Sequence, residues 1–390
     1  MSEFPNDLPA ADLPAVDASE TAQPPRFDFF SSLPQQIDAF VGGRGMPKFR
    51  GKQLRSWVYT KLVNDPALMS DLSKRDRDEL AGLIDFSPGA IKIRQNSEDG
   101  TLKLLTRWNR PAGVEEATTE TVMIPDDDRR TACVSSQVGC PVGCKFCASG
   151  LLGLKGNLNA GEIVYQIFAL NQILAATDSR ITNIVFMGMG EPMANYANVL
   201  KAIRILHDRQ CFDLGARRIT ISTVGVPSRI RDLANEELPV NLALSLHAPN
   251  EALRRELIPW ANHFALDEIL DACRDYFDRS GREITLEYIL LHDVNDRPSH
   301  ARQLVEVCKT IRANVNLIRY NEVEQLPFER PRSDDVLKFQ SILRDANINT
   351  HVRKSRGRDI AAACGQLRRR HEQGGDMTRS ANNPGLKVIQ

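Results

Sequence analysis

Residues 131–150 read TACVSSQVGCPVGCKFCASG, and three of their cysteines, Cys140, Cys144 and Cys147, stand at C-x3-C-x2-C spacing. A fourth, Cys133, lies seven residues upstream of the first. Thiolates two or three residues apart on one loop can converge on a single inorganic centre, and Gly139, Pro141 and Gly143 let such a loop curl back on itself. A [4Fe–4S] cluster ordinarily takes four cysteine thiolates, so three ligands leave one iron open to a substrate. Two blander readings stand beside this one: a structural zinc site with Cys133 as fourth ligand, and buried thiols with no metal. Zinc sites more often show two close cysteine pairs or added histidines.

The rest of the composition narrows the setting. Hydrophobic residues at 42% and charged ones at 26% are ordinary for a soluble globular protein, and 390 residues suit an α/β barrel with an accessory module. No apolar run approaches a membrane span, and the N-terminus lacks the basic and apolar regions of a signal peptide. The expectation is a cytoplasmic protein, probed by no membrane, in which eight cysteines serve metals, catalysis or the core rather than disulfide staples. The formal net charge of zero hides an asymmetry: residues 1–25 carry five acids and no Lys or Arg, which leaves the body of the chain near +5.

Residues 1–25, rich in Pro, Ala and Asp, read as a disordered acidic tail, and 371–390 as a flexible C-terminal tail. Between them, 26–89 reads as a small helical accessory domain. There Leu54, Trp57, Val58 and Leu62 keep helical spacing, and Lys48, Arg50, Lys52 and Arg55 offer a basic surface for RNA. Residues 90–130 read as a β extension, with a hairpin turning at Asp99-Gly100 and a strand, ATTETVMIP, on which Glu120 shares a face with Val122 and Ile124. That places the Glu120 carboxylate either at an exposed strand end or in a partly buried site suited to accepting a proton. From 131 to 370 six β-rich runs alternate with helices, starting at TACVSSQ and ending at NVNLIRYN, which predicts a partial parallel (β/α)6 barrel. Helices are expected over Glu162–Ala175, Ala197–His207, Leu266–Phe277, His300–Ile311 and Asp335–Asn347, the first introduced by an Asn159/Glu162 capping box.

Functional residues of such a barrel lie at the C-terminal ends of its strands. The motif Gly188-Met189-Gly190-Glu191-Pro192 follows ITNIVFMG, Ser222 ends ITIST, Ser245-Leu246-His247 ends VNLALSLH and Asn321 ends NVNLIRYN. The last motif, RKSRGRDIAAACGQL over 353–367, sets a basic strip of Arg353, Lys354, Arg356 and Arg358 before Cys364.

The cysteine triad with Phe146 before its last member resembles the signature of radical S-adenosylmethionine (SAM) enzymes. Together with CVSSQVGC, GMGEP and ACGQL, the chain from about Leu33 to Arg370 is similar to the RlmN/Cfr family of radical SAM RNA methyltransferases. The resemblance implies a [4Fe–4S] cluster on Cys140, Cys144 and Cys147, with SAM chelating the open iron. It implies SAM contacts from Gly190, Glu191, Ser222, Ser245, Leu246, His247 and Asn321. It makes Cys364 the methyl-accepting cysteine, Cys133 the second catalytic cysteine and Glu120 a proton acceptor. The implied reaction uses two SAM per turnover. Cys364 takes a methyl group from the first, the second supplies a 5′-deoxyadenosyl radical, and adenine becomes linked to Cys364. Attack by Cys133 then releases the product with a Cys133–Cys364 disulfide, which an external reductant restores. The implied substrates are an adenosine of 23S rRNA at the peptidyl-transferase centre and the adenosine 3′ to the anticodon of some tRNAs, methylated at C2. An electron donor such as flavodoxin would feed the cluster, and a monomer is expected. Methylation at C8 by a Cfr-like enzyme and a non-catalytic metal-binding RNA module are the competing readings. The chain departs from the family pattern at Arg319, where proline is usual.

Overall fold

The structure, a computed structural model, describes residues 26–111, 114–367 and the backbone of a short strand at Leu386–Val388. The acidic tail expected at 1–25 and most of the C-terminal tail lie outside the described residues.

One sheet runs through the molecule. Its strands are β1 (Gly89–Asn96), β2 (Leu102–Trp108), β3 (Ala117–Asp126), β4 (Arg129–Cys133), β5 (Asn183–Phe186), β6 (Ile219–Thr223), β7 (Asn241–Ser245), β8 (Ile284–Leu290), β9 (Ala313–Arg319) and β10 (Thr350–Arg353). Each pairs with its neighbours in chain order, and Leu386–Val388 adds an antiparallel strand beyond β1. From β4 to β10 every pairing is parallel, and from β1 to β4 every pairing is antiparallel. The β extension is therefore no separate linker: β3 pairs with the first barrel strand, Val122 opposite Cys133. The parallel part also has one strand more than the six expected. Residues 350–353, the last of which opens the basic strip, close it as β10, with Arg353 beside Ile318 of β9.

Within the parallel part β8 is buried nearly end to end, with only Thr285 of Ile284–Leu290 partly open. Three helices precede the sheet, α1 (Pro34–Gly42), α2 (Arg50–Arg55) and α3 (Lys74–Leu83). Seven more join the parallel strands: α4 (Ala160–Leu174), α5 (Tyr196–His207), α6 (Pro227–Ala234), α7 (Glu251–Leu257), α8 (Leu266–Ser280), α9 (Pro298–Thr310) and α10 (Ser333–Asp345). The capping box at the head of α4 is formed: Glu162 N–H donates to Asn159 Oδ1 at 2.8 Å, and Asn159 N–H donates to Glu162 Oε2 at 2.9 Å.

Almost the whole circumference of α4 is buried, because the N-terminal module packs on the side that the sheet leaves free. Phe30 is the anchor, with its ring 5.3 Å from Tyr165, 5.0 Å from Phe168 and 6.1 Å from Tyr59. In this module Arg50 and Arg55 are buried. Arg50 pairs with Asp76, and Arg55 donates to Asp38 at 2.6 Å and to Gln210 at 2.9 Å. Two of the four cations that the sequence offers to RNA thus hold helices together, while Lys48 and Lys52 are exposed. No described helix is long and apolar enough to cross a membrane. Phe30→Ala is expected to cost about 3–5 kcal/mol, because it empties an aromatic contact between module and barrel. Denaturant unfolding should show the module's transition moving to lower denaturant.

Candidate active site

Two strand ends are locked together first. Ser136 and Gln137 both donate their N–H to Met189 O, at 2.9 and 3.2 Å, and Gly188 N–H donates to Val134 O at 3.1 Å. This approach requires glycine: a Cβ on Gly188 would meet Val134 O at 2.6 Å, and one on Gly190 (φ +106°) would meet Gln137 Cβ at 2.7 Å. The glycines of GMGEP thus serve contact with the 134–137 backbone. They carry Glu191 to the cavity wall, where its buried carboxylate accepts N–H groups from Met193 and Val224, both at 2.9 Å. Burial raises the Glu191 pKa above the ordinary carboxylate value.

The cavity in front of this lock holds about 870 Å³ of empty space and is walled by Cys140, Cys144 and Cys147 on one side. Gly190, Glu191, Ser222, Ser245 and His247 line it as well, so five of the seven predicted SAM contacts meet there. Ser222 Oγ and Ser245 Oγ are 3.1 Å apart. His247 takes a left-handed backbone (φ +56°), and its Nδ1 accepts the Ile289 N–H at 3.1 Å, which leaves the ring proton on Nε2. Burial and the charge of Arg254 push its pKa down to about 3, so it stays neutral. Leu246, between Ser245 and His247, turns its side chain into the main core, so that any contact it makes with the cavity is through its backbone. Asn321 differs from expectation. It lines a neighbouring cavity, donates to Cys364 O at 3.3 Å and accepts from Arg330 at 3.2 Å. Arg319 ends β9 and donates to Ser333 Oγ at 3.2 Å, tying that strand to the head of α10.

That second cavity, of about 650 Å³, brings together Cys133 and Cys364, 231 positions apart in sequence, with Arg353, Lys354 and Arg356. Cys364, Met187, Ile318 and Leu367 line both cavities and so form their shared wall. The Cys364 segment is stitched to the cysteine loop: Ala148 N–H donates to Gly365 O at 2.8 Å and Ser149 Oγ to Leu367 O at 2.9 Å. Cys133 therefore stands with Cys364 and apart from the triad, which removes it as a fourth ligand of a four-cysteine zinc site.

The triad's own spread suits a cluster better than one ion. Thiolates on a single tetrahedral zinc lie about 3.8 Å from one another, given bonds near 2.3 Å. Among the described residues only His292, Asp296 and Asp335 bring three such ligand atoms within 4.8 Å of one another, so the three cysteine sulfurs stand wider. Their thiols are also protonated as they stand. Burial pushes Cys140 up to about 12 and raises Cys144 and Cys147, so ligation must release protons.

Sequence reasoning missed Glu287 and misplaced Arg353. Glu287 is the one charged residue inside β8; it is buried, lines the first cavity, and accepts from Asn316 at 3.0 Å. Arg353 points inward, 3.5 Å from Glu287 Oε2 and 3.6 Å from Met187 Sδ, rather than out to RNA. The Glu287 carboxylate and both thiols hold its pKa up. In return its charge opposes the desolvation that pushes Cys133 up to about 12 and Cys364, at the solvent-reached cavity mouth, up to about 11. Glu120 is buried and pairs with Lys103 at 3.0 Å, and Lys103 Nζ also donates to Ala361 O at 3.2 Å, under the turn that carries Cys364. It lines neither cavity.

This arrangement, a parallel partial barrel with a three-cysteine loop after its first strand, defines a radical SAM protein. Residues 134–305 match the Radical SAM superfamily, which uses a [4Fe–4S] cluster and SAM, and residues 28–85 match the ribosomal RNA large subunit methyltransferase N-terminal domain. The chain is 41% identical over 333 residues to the probable dual-specificity RNA methyltransferase RlmN of Dictyoglomus turgidum, covering 85% of this chain and 94% of that protein. It is 42% identical over 349 residues to the dual-specificity RNA methyltransferase RlmN of Desulfotalea psychrophila, covering 88% and 95%. A crystal structure of a radical SAM methyltransferase from Sphaerobacter thermophilus superposes with a TM-score of 0.85 at 40% identity, over 88% of this chain and 99% of that one. The chain belongs to the RlmN family of radical SAM methyltransferases.

Removing the Arg353 charge takes away what favours the Cys133 thiolate, so the thiol pKa rises further and the thiolate fraction at any pH below it falls. In metal-free protein at pH 8.5, Arg353→Met is expected to slow alkylation of Cys133 by about tenfold, one unit of pKa. Arg353→Lys should keep most of the rate. Peptide mass spectrometry of the alkylation time course reads both.

Proposed function

We propose that this protein methylates C2 of an adenosine in 23S rRNA and of the adenosine 3′ to the anticodon in some tRNAs, through a methyl group carried on Cys364. One observation carries the reading: Cys364 lies on the wall shared by the triad's cavity and the cavity that holds Cys133. A thiol so placed faces SAM chemistry on one side and a nucleobase and a second thiol on the other.

The residues present fit the cluster. Three thiols stand wider than a single ion needs, and a buried guanidinium with idle donors lies beside Cys144. Cys140, Cys144 and Cys147 would hold it, and Gly190, Glu191, Ser222, Ser245 and His247 would cradle SAM. When bound, cluster and SAM supply the one-electron chemistry that activates a methyl group. C2 of adenine is electrophilic, so a direct polar transfer from SAM does not serve, and a cysteine-borne methyl group solves the problem. Cys364, as a thiolate favoured by Arg353, would take the methyl group from one SAM, its S–C bond forming as the sulfonium S–C bond breaks and S-adenosylhomocysteine leaves. Once that carbon is bonded to adenine C2 and the C2 proton has gone to a base, the Cys133 thiolate would attack the Cys364 sulfur. The S–S bond forms as the bond from that sulfur to the adenine-linked carbon breaks, and the carbon takes up a proton as the product methyl group. Both thiols end as a disulfide, so two electrons from an external dithiol or equivalent reductant restore them. Both are free thiols in this structure. Glu120, paired with Lys103 beneath the Cys364 turn, would be the proton acceptor.

A stacked adenosine reaches this cavity only after extrusion, which costs a few kcal/mol, about 2–4. Lys354 and Arg356 at the rim would take the neighbouring phosphates and offset part of that cost, with Lys48 and Lys52 of the N-terminal module as outer contacts.

With reconstituted protein, SAM, reductant and unmodified RNAs, nucleoside mass spectrometry should show 2-methyladenosine from both rRNA and tRNA. 8-Methyladenosine would overturn the position, and no methylated adenosine from cluster-loaded protein would overturn the activity. Cys133→Ala is expected to accumulate a covalent protein–RNA adduct and Cys364→Ala to form none. Adducts in both variants would sink the cysteine roles.

A further inference from the structure

Arg254, in α7, is the most enclosed charged side chain among the described residues, at 1% exposure. Its Nη2 donates to the Val224 carbonyl, and Val224 in turn gives its own N–H to Glu191 at 2.9 Å. Its Nε and Nη1 have no hydrogen-bond partner. A guanidinium stays charged at any working pH, and a buried one whose hydrogen bond goes to a neutral carbonyl, with two N–H groups left over, is incompletely compensated. Glu251, one helical turn upstream, acts on Arg254 electrostatically but makes its contacts elsewhere, with Arg255 at 2.7 Å and the Leu266 N–H at 2.8 Å.

What lies against Arg254 is the cysteine loop. Lys145 N–H donates to Leu257 O at 3.0 Å, so the loop is fastened to the end of α7. Leu253 and Leu257 of that helix pack in one apolar cluster with Val142, Cys144 and Phe146. The guanidinium and the Cys144 thiol act on each other electrostatically, and neutral His247 adds no second cation there.

We propose that Arg254 is a positioning residue for the iron–sulfur cluster: its idle N–H groups donate to a sulfur of the cluster or of Cys144, and its charge favours the reduced cluster. The physical reason is charge. Three thiolates make the oxidised site anionic, one further electron makes it more so, and a fixed buried cation offsets the increment, because net charge and hydrogen bonds to sulfur set such potentials. This rests on the ligation by Cys140, Cys144 and Cys147 proposed above.

The test begins with the unaltered protein, reconstituted and grown with ¹⁵N-arginine. Pulsed electron paramagnetic resonance of the reduced cluster should show a weak ¹⁵N coupling that R254K loses. In R254Q, redox titration should show the reduction equilibrium constant falling about tenfold, about 59 mV for a one-electron couple. No arginine coupling in the unaltered protein would overturn the proposal even where R254Q fails to fold. An unshifted potential in fully loaded R254Q would overturn it as well. Iron and sulfide analysis keeps the two readings apart. A full cluster without the coupling sinks only the role of Arg254, and an unaltered protein that holds no cluster sinks the ligation together with it.

Discussion

The site depends on backbone meeting backbone between residues 134–137 and 188–190. Two N–H groups share the Met189 carbonyl, and the approach leaves no space for a Cβ at Gly188 or Gly190. Directly downstream of one partner lies the three-cysteine loop, and directly downstream of the other lies Glu191. A single steric constraint thus fixes the two sides of the first cavity relative to each other. Gln166 of α4 reinforces it from behind: its Oε1 accepts the Ser135 N–H and its Nε2 donates to Ser135 O, both at 2.9 Å.

The second dependence is the continuity of the sheet. Because β3 pairs directly with β4, Glu120 and Lys103 lie beneath the turn that carries Cys364, and Cys133 ends the strand alongside. Because β10 closes the far end of the parallel strands, Arg353 turns inward to Glu287 and both thiols. The Cys364 segment then bridges the two arrangements, held by Asn321 on one side and by Ala148 and Ser149 on the other. Placing a methyl-carrying thiol between two cavities thus needs the barrel and its antiparallel extension to be one body.

Much of this was legible from local chemistry. The capping box at Asn159 depends on neighbours within a few residues and forms as read, whereas the GMGEP glycines, which suit close approach to a ligand, close on the 134–137 backbone instead. Other residues were illegible for a common reason. Arg50, Arg55 and Arg353 look like solvated cations in a sequence, and each is held by a carboxylate on another element, Arg50 and Arg55 buried and Arg353 half-buried. Glu287 carried a faint signal, as a charge inside an otherwise apolar strand. Arg254 carried none, since a basic residue on a short helix is ordinary.

The sequence by itself determined the chemistry on offer: three thiols on one loop, two further cysteines, and hydrogen-bonding residues at strand ends. It also determined the alternation of strands and helices, because apolar periodicity is a local property. Only the tertiary structure decided which groups share a cavity, which charges face inward, that the Leu246 side chain turns into the core, and that Asn321 lines the neighbouring cavity. Burial and electrostatic pairing are set by chain segments far apart in sequence, and no spacing rule within one segment contains that information.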